Sequence, residues 1–245
     1  MMNKSNYESF RGVKIIKSDV QVLKELELSI GGEFSRVQEI KEENKMEFIT
    51  SEGRVTGIGL FKLGLRKFPD SLKRLRSLYE LDLRSNKIMT LPEEIGNLTK
   101  LKILGCYVNN LKNLPESIDN LKNLEFLDLG WNSLETLPKS IGNLSSLKTL
   151  WLVGNQISNI PERMTRLKSL EYLSLSNNKI QSLPESIGNL VSLKALYLEN
   201  NSISSIPPTI SQLYSLETLR IDSNSIKKIP DSIKTLEKRG VKIIK

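Results

Sequence analysis

The chain has no histidine and only one cysteine, Cys106, in 245 residues. The missing imidazole removes Ser–His and Cys–His nucleophilic pairs, histidine bases and histidine-dependent metal sites together. A lone cysteine rules out an internal disulfide and fits a reducing compartment, so a cytoplasmic location is expected. Long apolar runs are absent too. Met1-Met2-Asn3-Lys4-Ser5-Asn6-Tyr7 opens the sequence without the apolar stretch of a secretion signal, and no membrane-length run of roughly 18 apolar residues follows. The Asn-x-Ser/Thr matches at Asn3, Asn97, Asn143 and Asn200 are therefore expected to carry no glycan. Gly57-Ile58-Gly59, with Gly64 after it, has the wrong spacing for a phosphate-binding loop and opens no helix. These glycines are expected on exposed strand positions. Acid pairs such as Glu93-Glu94 read as solvated turn residues. No catalytic residue, metal or cofactor is expected, and the chain reads as a non-enzyme.

What is present is a repeat. Asn86, Asn109, Asn132, Asn155, Asn178, Asn201 and Asn224 recur every 23 residues, and self-similarity at such a period marks a solenoid. The frame is clearest as Leu170-x-x-Leu173-x-Leu175-x-x-Asn178-x-Ile180-x-x-Leu183-Pro184-x-x-Ile187-x-x-Leu190. It fits eight times over residues 55–238, since 8 × 23 = 184 residues with no insertion. Its Leu-x-x-Leu-x-Leu stretch alternates as a short strand does. Equal connections in one sense make successive strands parallel. The Leu-Pro-x-x-Ile-x-x-Leu stretch suits a short α or 3-10 turn, with proline at its first position. The helical layer is wider than the strand layer. The predicted fold is therefore an α/β solenoid, curved with its parallel β-sheet on the concave side and the turns on the convex side. Each Asn offers two donors and an acceptor where the chain leaves the strand, which predicts a structural ladder along the inner turn. Cys106 takes the third Leu position and is expected to be a small buried hydrophobe.

This frame resembles the leucine-rich repeat family, in particular its 23-residue intracellular Leu-Pro-x-x-Ile class, seen in Ras-associated scaffold proteins. The resemblance covers residues 55–238. It implies a horseshoe or arc and a protein-interaction role, and it carries over no catalytic residue. The first repeat departs from the frame, with Leu63 in the Asn place and Phe68-Pro69 for Leu-Pro, as expected of a terminal repeat.

Residues 1–54 are expected to form an N-terminal cap of helix plus hairpin. Ser18-Asp19-Val20-Gln21 fits a capping box ahead of the stripe Val22, Leu23, Leu26 and Ile30, which Gly31-Gly32 stops. Residues 46–50 and the strand from Val55 predict a hairpin over the leading edge of the solenoid. Residues 239–245 read as a C-terminal capping strand. Arg-Gly-Val-Lys-Ile-Ile-Lys occurs at both 11–17 and 239–245, and both copies suit short edge strands.

With the leading Leu as position 1, positions 2, 3, 5, 7 and 8 of each repeat face the concave surface. They hold Phe61, Tyr79, Tyr107, Phe126, Trp131, Trp151, Tyr172 and Tyr197, eight of the 14 aromatics. Contiguous exposed aromatics mark a binding surface, and the partner implied is a protein or peptide. The candidate residues are Tyr107, Phe126, Asp128, Trp131, Trp151, Tyr172, Ser174, Tyr197 and Glu199. Ser174 stands between Trp151 and Tyr197 on successive strands, a slot about 10 Å wide for a partner side chain. Asp128, Glu199 and Asp222 favour a basic residue beside it.

The net charge is +8, yet positions 3, 5, 7 and 8 set Lys62, Arg84 and Arg220 against Glu80, Asp82, Asp128, Glu199 and Asp222. Position 2 alternates Lys102, Glu125, Lys148, Glu171, Lys194 and Glu217, a predicted ladder of opposite charges. The basic excess sits at the ends, in Arg66, Lys67, Lys73, Arg74 and Arg76, and in Lys227, Lys228, Lys234, Lys238, Arg239, Lys242 and Lys245. The alternative function is an electrostatic binder of nucleic acid or anionic membrane through those ends. A nucleic-acid reader combines basic charge and aromatics on one surface, and here they are separated. A monomer is expected.

Overall fold

Apolar residues, mostly leucine, at positions 1, 4 and 6 of each repeat turn inward and set the architecture. In the computed structural model, which describes residues 6–41 and 46–245, Leu170, Leu173 and Leu175 are fully buried. So are Ile180, Ile187 and Leu190 of the same repeat. Burying one such side chain contributes roughly 1.5–3 kcal/mol, and the set recurs along one continuous core. The Asn-x-Ser match at Asn3 lies outside the described residues.

The chain opens with an antiparallel pair, β1 (Tyr7–Phe10) and β2 (Val13–Ile16), followed by α1 (Lys17–Ile30). Three strands come next: β3 (Ser35–Arg36), β4 (Met46–Ser51) and β5 (Arg54–Leu60). The repeats then supply β6 (Glu80–Asp82), β7 (Ile103–Gly105), β8 (Phe126–Asp128), β9 (Thr149–Trp151), β10 (Tyr172–Ser174), β11 (Ala195–Tyr197) and β12 (Thr218–Arg220). α2 (Asp231–Lys238) and β13 (Lys242–Ile244) complete the order. Among the described residues, β3 to β13 join in chain order as one sheet of 11 strands. β4 and β5 pair antiparallel, whereas every pairing from β5 to β13 is parallel. Within the repeats the register is the period itself, with Tyr172 beside Thr149 and Ala195. The sheet lines the inside of the arc.

The convex side is made of five-residue 3-10 turns such as Glu185–Asn189. Each follows a proline held extended. Pro184, at φ −63 and ψ 142, sits just ahead of its turn rather than at the first turn position. There its missing N–H costs nothing, while its carbonyl accepts from Ile187 N at 3.0 Å. In the eighth repeat the helix α2 replaces the 3-10 turn.

Two local expectations fail at the N-terminal end. Ser18 makes no cap: α1 starts at Lys17, its N-cap is Ile16, and no side chain caps it. Asp19 is instead drawn into the junction with the first repeat, where its carboxylate accepts from Arg54 Nε at 2.9 Å, Arg54 Nη2 at 3.1 Å and Val55 N at 3.0 Å. A buried carboxylate requires such partners, and that need overrides the local capping motif. Gly57 and Gly59 are buried, not exposed. A Cβ at either would come within 2.8 Å of a methyl of Ile49 or Ile40 respectively. The N-terminal segment therefore folds over the inner face of the first repeat, and only glycine admits it that closely.

Candidate functional site

The concave face is held from behind by the asparagines. Asn155 Oδ1 accepts from Leu134 N at 3.0 Å, and its Nδ2 donates to Leu129 O at 2.9 Å and Leu152 O at 3.0 Å. Leu129 and Leu134 belong to the preceding repeat, so a single amide ties two repeats together. Asn109, Asn132, Asn178, Asn201 and Asn224 repeat the three bonds one period apart. Asn86 accepts from both Leu63 N and Leu65 N and donates to Leu60 O and Leu83 O.

Immediately before each asparagine stands position 8, and its backbone is left-handed in all eight repeats. The residues are Lys62, Ser85, Val108, Trp131, Gly154, Asn177, Asn200 and Ser223, with φ between 52 and 69. Glycine and asparagine accept this region readily. A bulky or β-branched residue there costs roughly 1–2 kcal/mol. Trp131 (φ 52) and Val108 (φ 54) bear that strain while facing solvent, at 53% and 40% exposure. The indole of Trp131 lies on the next repeat, where a Cβ on Gly154 would sit 2.8 Å from its Cδ2.

Trp151 and Tyr172 are also exposed, while Tyr107, Phe126 and Tyr197 are half-buried. Phe126 and Trp151 meet edge to face at 5.0 Å and 76°. That contact lies on the side of Trp151 away from Ser174, which stands in register between Trp151 and Tyr197 and is itself half-buried.

The charges are largely paired. Asp82 is buried and grips Arg84 through Nε at 2.9 Å and Nη2 at 2.7 Å. Asp128, 5% exposed, accepts from Gly130 N at 2.9 Å. Burial pushes its carboxyl above the ordinary carboxylate range, against the pull of that N–H and of Arg84. Burial likewise raises Glu80. Along position 2, Glu125 bridges Lys102 at 2.8 Å and Lys148 at 2.7 Å, and Glu171 pairs with Lys194 at 2.6 Å. Hydrogen bonds from Lys102 and then Lys148 hold the Glu125 carboxyl down to about 2. Glu199 lies beside Arg220, whose Nη1 is 3.5 Å from its Oε1.

Two features of the face are not legible in the sequence. The left-handed position 8 is one, although Gly154, Asn177 and Asn200 at that position are its trace. The other is a cavity of about 400 Å³ at the N-terminal end of the face, between the β4–β5 hairpin and the second repeat. Ile49, Arg54, Tyr79, Glu80 and Lys100 contribute to its lining. Its walls are a tertiary product of the cap folding down. No helix among the described residues is long and apolar enough to cross a membrane.

Known proteins match on the same features. A leucine-rich repeat region family model matches residues 162–238, and a leucine-rich repeat model matches 77–98 and 123–144. No curated protein is significantly similar in sequence. Among solved structures, a leucine-rich repeat protein of Leptospira interrogans is 38% identical with a TM-score of 0.68, over 73% of this chain and 46% of its own. The ectodomain of the Arabidopsis thaliana receptor kinase GASSHO1/SCHENGEN3, in complex with CASPARIAN STRIP INTEGRITY FACTOR 2, is 32% identical with a TM-score of 0.65, over 76% and 23%. The plant peptide hormone receptor RGFR1, in complex with RGF2, is 31% identical with a TM-score of 0.63, over 76% and 29%. The chain spans less than half the length of each. The family models, the neighbours and the parallel sheet lead to one conclusion: this chain is a leucine-rich repeat protein, with a fold typical of protein–protein interaction domains.

Proposed function

We propose that the chain is a non-enzymatic scaffold or adaptor that binds a protein or peptide across its concave sheet, in the reducing cytoplasm. One observation carries this reading: Trp131 and Val108 are held in a strained backbone conformation yet remain exposed. Neither the backbone nor the core gains from a bulky side chain there, and retained strain is characteristic of functional surfaces. Trp151, Phe126 and Tyr172 extend the same patch, and aromatic anchors dominate binding energy at interfaces. Two of the similar structures, GASSHO1/SCHENGEN3 and RGFR1, are described in complex with a partner. Chemistry by Cys106 is disfavoured, since it is buried and burial pushes its thiol pKa upward.

The test is a comparative capture from native extract with the wild type and a Trp131→Ala/Trp151→Ala double variant. Partners lost together in the variant are concave-face ligands. Survival of every partner would remove the concave reading.

A further inference from the structure

Among the described residues, the buried side-chain polar atoms without a hydrogen-bond partner are Ser140 Oγ, Ser176 Oγ, Glu199 Oε2, Arg220 Nε, Asp222 Oδ1 and Ser232 Oγ. The middle four share one patch of the concave face. Ser176, Glu199 and Asp222 hold position 7 of three successive repeats. Asn177 N donates to Glu199 O at 2.9 Å and Asn200 N to Asp222 O at 3.1 Å, so the three side chains form one column. Arg220 stands beside it at position 5. Its Nη1 lies 3.5 Å from Glu199 Oε1 and its Nε 3.5 Å from Asp222 Oδ1, ion pairs looser than a hydrogen bond that reach neither Glu199 Oε2 nor Ser176 Oγ. Ser176 is only 3% exposed. Buried polar atoms are almost always hydrogen-bonded, so three such atoms in one column and a fourth beside it mark the patch as a place for an occupant.

We propose that this column receives a lysine or arginine side chain of the partner peptide, together with that residue's main-chain carbonyl. The inference rests on the concave-face reading above. Glu199 Oε2 and Asp222 Oδ1 are acceptors and match the cation's N–H donors. Arg220 Nε is a donor and matches the carbonyl, and Ser176 Oγ serves either side. Two carboxylates against one guanidinium leave the patch net negative, complementary to a cation. The Ser174 slot lies two residues back along the repeat, about 6.6–7 Å away, which is the spacing of side chains i and i+2 in an extended peptide. An apolar residue in the slot therefore places a cation in the column.

The experiment is a backbone-amide NMR titration of the full chain with the blocked peptides Ac-Phe-Gly-Arg-NH2 and Ac-Phe-Gly-Glu-NH2. The arginine peptide is expected to shift Ser176, Glu199 and Asp222 and to bind at least tenfold tighter than the glutamate peptide. Glu199→Gln/Asp222→Asn is expected to abolish that preference. Ser176→Ala removes only an unpartnered hydroxyl, so it leaves folding intact and is expected to weaken the arginine peptide severalfold. Equal binding of the two peptides with shifts confined to Trp131 and Trp151 overturns the cation site and leaves the concave reading standing. Shifts in the column that persist unchanged in both variants assign the orphan atoms to water alone and overturn it as well. A face silent to both peptides at millimolar concentration overturns this inference, while the concave reading stands or falls with the Trp131→Ala/Trp151→Ala capture.

Discussion

The indole of Trp131 rests on Gly154 of the following repeat, with its Cδ2 only 2.8 Å from where a Cβ would stand. Both residues occupy position 8 and both are left-handed, at φ 52 and 69. Gly154→Val meets two obstacles at once, the ring above it and a backbone that a β-branched residue resists. We expect a loss of roughly 1–2 kcal/mol in stability, a displaced Trp131 and a shifted Trp131 fluorescence maximum. A crystal structure of the variant with Trp131 unmoved would refute the packing argument.

Val108 offers the converse test. It carries a β-branched side chain at φ 54 while 40% exposed, outside the buried core. Val108→Asn installs the residue type already present at Asn177 and Asn200. Unfolding in urea should show a gain of about 1 kcal/mol, alongside weaker capture of concave-face partners. A destabilised variant would mean that Val108 packs better than its exposure implies.

Asn155 joins two repeats through three hydrogen bonds to main-chain groups. Asn155→Ala leaves buried carbonyls and an N–H without a partner and is expected to cost about 1–3 kcal/mol. Gln181→Ala, on an exposed site, should stay within ~0.5 kcal/mol. Equal denaturation midpoints for the two variants would show that the ladder does not hold the repeats together.

The Glu125 carboxyl is held from an ordinary 4.5 down to about 2 by Lys102 and Lys148. A lowered folded-state value means that the group supports folding above pH 4.5, and that this support is lost as pH falls toward about 2. Stability of the wild type relative to Glu125→Gln should therefore shrink across that window and be flat above it. Carboxyl NMR of a Lys102→Met/Lys148→Met variant should find Glu125 back near its ordinary value. A titration unmoved by removal of both lysines would contradict the bridge.

Ser174→Trp fills the slot between Trp151 and Tyr197 from a half-buried position on the sheet surface. The core behind it is untouched, so the thermal unfolding midpoint should hardly move while concave-face capture is abolished. Retained binding by a folded variant would exclude the slot as the anchor and leave Trp131 and Tyr107.

The sequence by itself determined the solenoid. Leucines and asparagines returning every 23 residues without insertion leave one register in which the strand leucines are buried and each ladder Asn meets two repeats, as Leu173 beside Leu150 and Leu196 displays. Such periodic information is local to each repeat and its neighbour, which is why it survives in one dimension. Tertiary structure alone decided the rest. Arg-Gly-Val-Lys-Ile-Ile-Lys becomes the antiparallel arm β2 at one end and the parallel edge β13 at the other, because strand pairing depends on the neighbour offered. Ser18 makes no helix cap while its neighbour Asp19 binds Arg54, and Ile49 and Ile40 cover Gly57 and Gly59, through contacts that no short-range pattern encodes. The same holds on the face. Its aromatic content was countable in the chain, but the strain at Trp131 and the unpaired atoms around Ser176, Glu199 and Asp222 exist only once successive repeats stack side by side.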